Sequence, residues 1–125
     1  MCEEIKASEY NKKGLNCAES IIKAYNDEFS ADIPVSLGSG LGGGNAVGSL
    51  CGAVNATNMI ISYEKGRQNE SETNSAKIYV KDAMNSVTEK YGSHICKDLK
   101  RDKVSCKEII DFSYKNLKET LKKDL

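Results

Sequence analysis

The sequence is short of several residue types, and each shortage excludes a class of protein. Its 125 residues include one proline, one histidine and no tryptophan, and eighteen basic residues balance eighteen acidic ones. A net charge of zero argues against a general nucleic-acid binder, which carries a basic surplus or patch. No apolar run approaches the length of a membrane span, so we expect no membrane insertion. Because a domain has roughly 100–200 residues, residues 1–125 are expected to form one domain.

Cysteine is not scarce, but the common cysteine motifs are absent. The five cysteines form no C-x-x-C pair and no C-x-x-C-H run, so thioredoxin-type, zinc-ribbon and c-type haem motifs are excluded. The first six residues lack the basic start and apolar core of a signal peptide, so we expect a cytoplasmic protein. Persistent structural disulfides are rare in that reducing compartment. The five cysteines therefore need another explanation.

Helical periodicity dominates the rest of the chain. Apolar residues recur at spacings of three and four within 18–29, 76–91 and 109–121, as they do on one face of a helix. Residues 50–63 are apolar over most of the helix circumference, which is typical of a buried central helix. No segment alternates with a period of two. We predict an all-α domain, a compact bundle of about five helices.

Helix boundaries are also marked by local signals. Asn16 is followed by Glu19, and Ser105 by Glu108, at the spacing of capping boxes. Gly92 ends the 76–91 pattern as a C-terminal glycine does. Residues 3–13 form a weaker helix candidate. The charged segment 98–103 is predicted to be a solvated turn.

Six of the ten glycines lie between positions 38 and 48, directly before the central helix. They match the letters of the dinucleotide fingerprint G-x-G-x-x-G, but that fingerprint requires a preceding strand, and Ser49 stands where a phosphate loop has its lysine. Two interpretations remain. Gly42, Gly43 and Gly44 could present backbone N–H groups to an anion or cofactor. Alternatively, the loop passes close to a packed helix where no side chain fits.

Four cysteines fall in or beside the first turn of a predicted helix, and only Cys2 does not. Ser49 is the expected cap of the central helix. At a helix start, free N–H groups and the helix dipole stabilise negative charge. A cysteine there is more easily a thiolate, which is both the nucleophile and the metal ligand. The four are Cys17, Cys51, Cys96 and Cys106.

Two further features concern polar residues. Cys51, Asn55, Asn58 and Ser62 share one face of the central helix. This stripe either lines a small-molecule or redox pocket or faces water. His94, two residues before Cys96, is either a base, a ligand or a bystander.

The order of these features resembles a known family. Asn16-Cys17-Ala18 is followed by the glycine-rich stretch, by Cys51-Gly52-Ala53 and by two late cysteines. This resembles the small bacterial proteins of the C_GCAxxG_C_C family, whose hallmark is four cysteines and a Cys-Gly-Ala-x-x-Gly motif. Ala56 stands where that motif has its final glycine, and the position stays small. The resemblance covers roughly residues 5–115 and implies an all-α fold and a redox activity based on the cysteines.

Three functions remain open. The first is a thiol redox protein, acting as a thiol/disulfide oxidoreductase on a redox partner or small molecule. In it, Cys51 is the reactive thiolate, Cys17 its partner, and Cys96 with Cys106 a second pair. The second is a zinc or iron–sulfur site built from the same four cysteines. The third is a non-catalytic helical binding module in which the cysteines are buried and inert.

Overall fold

The computed structural model describes residues 6–125, which form an all-α fold. No strand occurs within these residues, although one isolated antiparallel bridge pairs Leu50 with Ile95. Between the second and third helices lie a 3-10 turn, Val35–Gly38, and an irregular turn, Gly44–Gly48. The predicted all-α class is confirmed. The helices are α1 (Ser8–Lys12), α2 (Cys17–Phe29), α3 (Gly52–Lys65), α4 (Ala76–Tyr91), α5 (Cys96–Arg101) and α6 (Cys106–Leu121).

The residues predicted to mark helix boundaries form the expected capping contacts. At the start of α2, the Asn16 side chain accepts a hydrogen bond from the Glu19 N–H at 2.7 Å, and Glu19 Oε1 accepts one from the Asn16 N–H at 2.9 Å. At the start of α6, Ser105 Oγ accepts from the Glu108 N–H at 3.1 Å. Gly92 ends α4 with a φ of 79°, in the left-handed region that glycine adopts without cost. These contacts satisfy backbone groups that a helix end otherwise leaves unpaired.

Helix α3 lies at the centre of the bundle, as predicted for residues 50–63. It contacts α2, α4 and α6, and the apolar periodicity of each surrounding helix faces it. The side chains that are fully buried here are mostly branched aliphatics, which pack densely in well-defined rotamers. The largest are Ile21, Ile22, Ile60, Ile61, Ile110 and Leu117.

The expectation of a solvated turn over 98–103 is wrong. Most of that segment belongs to α5, which continues to Arg101. Leu99 is only 3% exposed, so burial of its side chain fixes the segment against the core despite the surrounding charges. Arg101 pairs with Asp98 one turn earlier, at 3.5 Å, and the chain turns only after the helix, where Lys103 adopts a φ of 62°.

Two expectations involve residues near the N-terminus. Within the predicted helix 3–13, α1 occupies Ser8–Lys12, and the part before residue 6 lies outside the described residues, as does Cys2. Within residues 6–125, none of the helices combines the length and apolar character needed to cross a membrane.

Candidate functional site

Four helices begin at a cysteine. Cys17, Cys96 and Cys106 are the first residues of α2, α5 and α6, and Cys51 immediately precedes α3 as its N-cap residue. The prediction that these four cysteines lie in or beside helix first turns is therefore confirmed. The sulfurs of Cys17 and Cys51 lie near backbone N–H groups, those of Ala18 and Gly43 and those of Ala53 and Val54.

The four cysteines line one cavity of about 210 Å³. Periodicity within each helix says nothing about this convergence, because the cysteines belong to four separate helices. The remaining wall is largely apolar, with side chains contributed by α5 and by the segment that leads into α6. The other lining residues are Asn11, Asn16, Gly43, Gly52, Leu99, Lys100, Val104 and Ile109.

The isolated bridge joins two of the cysteines through the backbone. The Cys51 N–H donates to the His94 carbonyl at 2.9 Å, and the Cys96 N–H donates to the Ser49 carbonyl at 2.6 Å. Since side chains alternate along extended chain, Cys51 and Cys96 lie on the same side of this bridge, as diagonal neighbours. The prediction that Ser49 caps α3 is wrong, since Cys51 is the N-cap residue, and the bridge explains why. Residues 49–51 are held extended, so the helix begins only at Gly52.

The glycine-rich loop passes against the cysteine-bearing helices. A Cβ at Gly42 would lie 2.8 Å from the Asn16 side chain, and one at Gly44 would lie 2.7 Å from Cys96 Cβ. A Cβ at Gly52 would lie only 2.4 Å from Cys17 Sγ. Cβ atoms do not approach other atoms this closely, so a side chain at any of these positions would displace the loop or a cysteine. The close-packing interpretation accounts for Gly42 and Gly44.

Gly43 has a different role, because it lines the cavity. A backbone hydrogen bond from Gly43 to the Cys17 thiol opposes the effect of burial on its pKa. The chain is left-handed from Gly43 through Ala46, with φ between 59° and 66°. Asn45 within this turn accepts a hydrogen bond from Asn55 Nδ2 at 2.9 Å, which braces the loop against α3.

Burial and helix starts act in opposite directions on the thiols. Desolvation raises the pKa of Cys51 to about 11, although backbone N–H groups of Val54 and Ala53 lower it. Burial also raises the pKa of Cys17, and the nearby Cys106 and Cys96 add to the rise. Desolvation dominates in both cases because it disfavours the charged form more than the N–H groups favour it. Burial therefore disfavours a thiolate at Cys51 at neutral pH, although the backbone N–H groups of its helix start favour one.

The four thiols differ in their access to solvent. Cys51 is 4% exposed and Cys96 is 9% exposed, whereas Cys17 is half-buried and Cys106 is exposed. Cys17 lies within electrostatic range of all three other cysteines. The exposure of the four cysteines around the cavity therefore decreases from Cys106 through Cys17 to Cys96 and Cys51.

Other residues of the predicted site lie elsewhere. Asn55 contacts the loop, and Asn58 contacts the Met84 sulfur at 3.4 Å, so neither lines the cavity. Asn55 and Asn58 follow Cys51 by four and seven residues, which places them about 6 and 10 Å further along the axis of α3. His94 contributes its carbonyl to the bridge, and its ring Nδ1 lies 3.4 Å from Thr88 Oγ1.

The cysteines surround the cavity without closing on a single point. Within residues 6–125, no three cysteine, histidine or acidic side chains lie close enough together to hold a metal ion. The prediction of a solvated turn over 98–103 overlooks Leu99 and Lys100 as lining residues, and Val104, just beyond that segment, was not predicted either. The signal that could have found them is the apolar pair Leu99 and Val104 between two cysteines.

Comparison with known proteins gives one match. The family model described as "Putative redox-active protein (C_GCAxxG_C_C)" matches residues 15–120. No curated protein matches the chain, and no solved structure matches it. The matched range contains all four cysteines of the cavity.

Proposed function

Because the chain belongs to the C_GCAxxG_C_C family, we propose that its four cavity cysteines carry out reversible thiol–disulfide exchange. The observation that supports this most strongly is their convergence from four helix starts on one cavity. Buried cysteines that act only as small hydrophobic residues have no reason to share one cavity. Thiols that exchange disulfides must meet, because each step needs a sulfur to attack a neighbouring sulfur.

The principal disulfide of this proposal joins Cys17 and Cys51. The Cys17 sulfur lies against Gly52, the residue that follows Cys51, which supports their proximity. Oxidation removes two electrons and two protons from the two thiols, and a disulfide of the redox partner takes them up to become two thiols. Cys96 and Cys106 form the second thiol pair of this proposal. Four cysteines allow three pairings, so the experiment must identify the pairs.

A redox titration tests the proposal. The reduced protein is equilibrated with thiol–disulfide buffers over a range of potentials, free thiols are alkylated in acid-quenched samples, and peptide mapping identifies the joined cysteines. We expect a reversible disulfide between Cys17 and Cys51, and its loss in Cys17→Ser. The matched control, Cys2→Ser, removes a cysteine that is not among the four, and should titrate as the unmodified protein does. If no internal disulfide forms at any potential, the proposal is wrong.

A metal centre is the second candidate, and the donor set favours it. Four cysteines around one cavity are the ligands of choice for zinc or an iron–sulfur cluster. Within residues 6–125, no three such side chains lie close enough together to hold an ion, which counts against this candidate. Iron and sulfide analysis of anaerobically purified protein tests this. Colourless, metal-free protein that retains its helical circular dichroism would contradict it.

A further inference from the structure

The exposure of the Cys106 thiol and the basic side chains near it bear on which of the four thiols reacts first. Cys106 is the one exposed cysteine of the cavity, so a reactant arriving from solvent meets it before the others. Reactive cysteines typically occupy partially exposed, electropositive surroundings. Cys106 begins α6, a helix of sixteen residues, whose N-terminus adds positive potential at the sulfur.

The segment that carries Cys96 and Cys106 is rich in basic side chains. Lys100 lines the cavity itself, and three more lysines directly neighbour a lining residue in the sequence. All four side chains are exposed, and none forms an ion pair with a described carboxylate. We call these four residues the lysine rim. They are Lys97, Lys100, Lys103 and Lys107.

The acidic residues of the same segment do not cancel this charge. Asp98 and Asp102 both pair with Arg101, at 3.5 and 3.3 Å. Glu108 lies beside the Tyr91 hydroxyl, where it helps to raise the pKa of that tyrosine. Five basic residues against three carboxylates leave a net charge of +2 between residues 96 and 108, and the four lysines of the rim carry this local excess.

We propose that Cys106 is the first thiol to react, and that the lysine rim selects a small disulfide carrying carboxylates. This rests on the proposed thiol–disulfide function and adds its substrate class and its order of steps. The cavity, at about 210 Å³, is large enough for part of a small molecule but not for a folded partner. Positive potential at a cleft raises the local concentration of anionic substrates and their rate of association.

The order of steps follows the gradient of burial. The Cys106 thiolate attacks one sulfur of the substrate disulfide, so the substrate S–S bond breaks, a mixed disulfide forms and one substrate thiolate leaves. The half-buried Cys17 then attacks the Cys106 sulfur, which releases the second substrate thiolate. Finally, Cys51 attacks Cys17 and frees Cys106. One substrate disulfide becomes two thiols while Cys17 and Cys51 become a disulfide, so the electrons balance.

Three small disulfides of different charge test the selectivity. The reduced protein is mixed with glutathione disulfide, which is anionic, with neutral hydroxyethyl disulfide or with cationic cystamine, and intact mass follows the mixed disulfide over time. We expect the anionic probe to react about tenfold faster than the cationic one after correction for their rates with free cysteine. Added salt should reduce this difference, because it screens exposed charges.

Matched variants test the rim. Lys100→Gln combined with Lys107→Gln should reduce the preference for the anionic probe several-fold. Lys115→Gln combined with Lys122→Gln removes the same charge from the far part of α6 and beyond its end, and should leave the preference unchanged. Equal effects of the two double variants would overturn the selective role of the rim, as would a wild-type protein that reacts equally fast with all three probes.

Cysteine variants test the order of steps. Cys17→Ser combined with Cys96→Ser removes both cysteines that could resolve the mixed disulfide, and should trap it on Cys106. Cys106→Ser should lose rapid reaction with glutathione disulfide, while diamide, a small neutral oxidant, still joins Cys17 to Cys51. If Cys106→Ser reacts with glutathione disulfide as fast as the wild type, this inference is wrong and the proposed function stands. If neither oxidant produces an internal disulfide in the wild type, the proposed function itself fails.

Discussion

The aliphatic centre of the bundle and the thiol end, defined here as the cavity with its four cysteines and the loop 38–48, are built on different contacts. In the centre, side chains such as Ile61 fill the space between regular helices. At the thiol end, backbone approaches backbone or sulfur, as at Gly44 and Gly52. The packing of the centre depends on the volume of its side chains. The packing of the thiol end depends on glycines, which have no side chain. The two regions should therefore respond to opposite substitutions.

The largest effect is expected from shortening a side chain in the centre. Ile61→Ala deletes buried methyl groups and leaves a cavity, so it should lower the free energy of unfolding by about 2–5 kcal/mol. Ile61 lies about 15 Å along α3 from Cys51, so the relative alkylation rates of the four native thiols should not change. Urea unfolding and alkylation mass spectrometry measure the two quantities.

Ile78→Ala is the control for the centre. Ile78 also lies within a helix, but it is 56% exposed, so its truncation should change stability by less than about 0.5 kcal/mol. If Ile61→Ala altered the thiol rates under native conditions, the centre and the thiol end would not be the independent regions described above.

The next effect concerns pH and belongs to the thiol end. Burial raises the pKa of Cys51 to about 11 from the ordinary 9.0. Between these values the unfolded chain loses a proton that the native protein retains. The contribution of Cys51 to stability is therefore complete below about pH 9 and falls by about 2–3 kcal/mol as pH rises to 11.

Comparison of variants isolates this titration. In Cys51→Ala, stability between pH 9 and 11 should fall less steeply than in the wild type. Cys106→Ala removes an exposed thiol and should keep the wild-type slope. Identical slopes for the wild type and Cys51→Ala would show that burial does not hold this thiol protonated. Urea unfolding under reducing conditions provides the measurement.

The smallest effect is expected from adding one carbon at the thiol end. In Gly52→Ala, the new Cβ would lie 2.4 Å from Cys17 Sγ and 2.8 Å from the Leu41 carbonyl. The loop or the sulfur must move, which should cost about 1–3 kcal/mol and change the alkylation rate of Cys17. Thermal unfolding and thiol mass spectrometry measure these changes.

Gly40→Ala is the matched control in the same loop. A Cβ there meets nothing within 4 Å, and Gly40 does not have a positive φ. Its replacement should leave stability unchanged or raise it slightly, since alanine restricts the unfolded chain more than glycine does. A destabilising Gly40→Ala together with a neutral Gly52→Ala would contradict the close packing described for this loop.

Most of the fold could be predicted because its signals are local. The Asn16 capping box, the Gly92 stop and the apolar periodicity of α2, α4 and α6 each depend on residues within a few positions of one another. The segment 98–103 could not be interpreted correctly in this way. Its helix depends on the burial of Leu99 against distant residues, and that burial outweighs the charged composition of the segment.

The sequence by itself determined where α2 and α6 begin, because the side-chain caps Asn16 and Ser105 stand directly before Cys17 and Cys106. Only the tertiary structure decided where α3 and α5 begin, that the four cysteines meet at one cavity, and that Cys106 is exposed there whereas Cys51 is buried. Convergence and burial depend on contacts between residues far apart in the chain, such as the bridge between Leu50 and Ile95. The same burial raises the pKa of Cys51 against the effect of its helix start, because desolvation is a property of the packed surroundings and not of the local sequence.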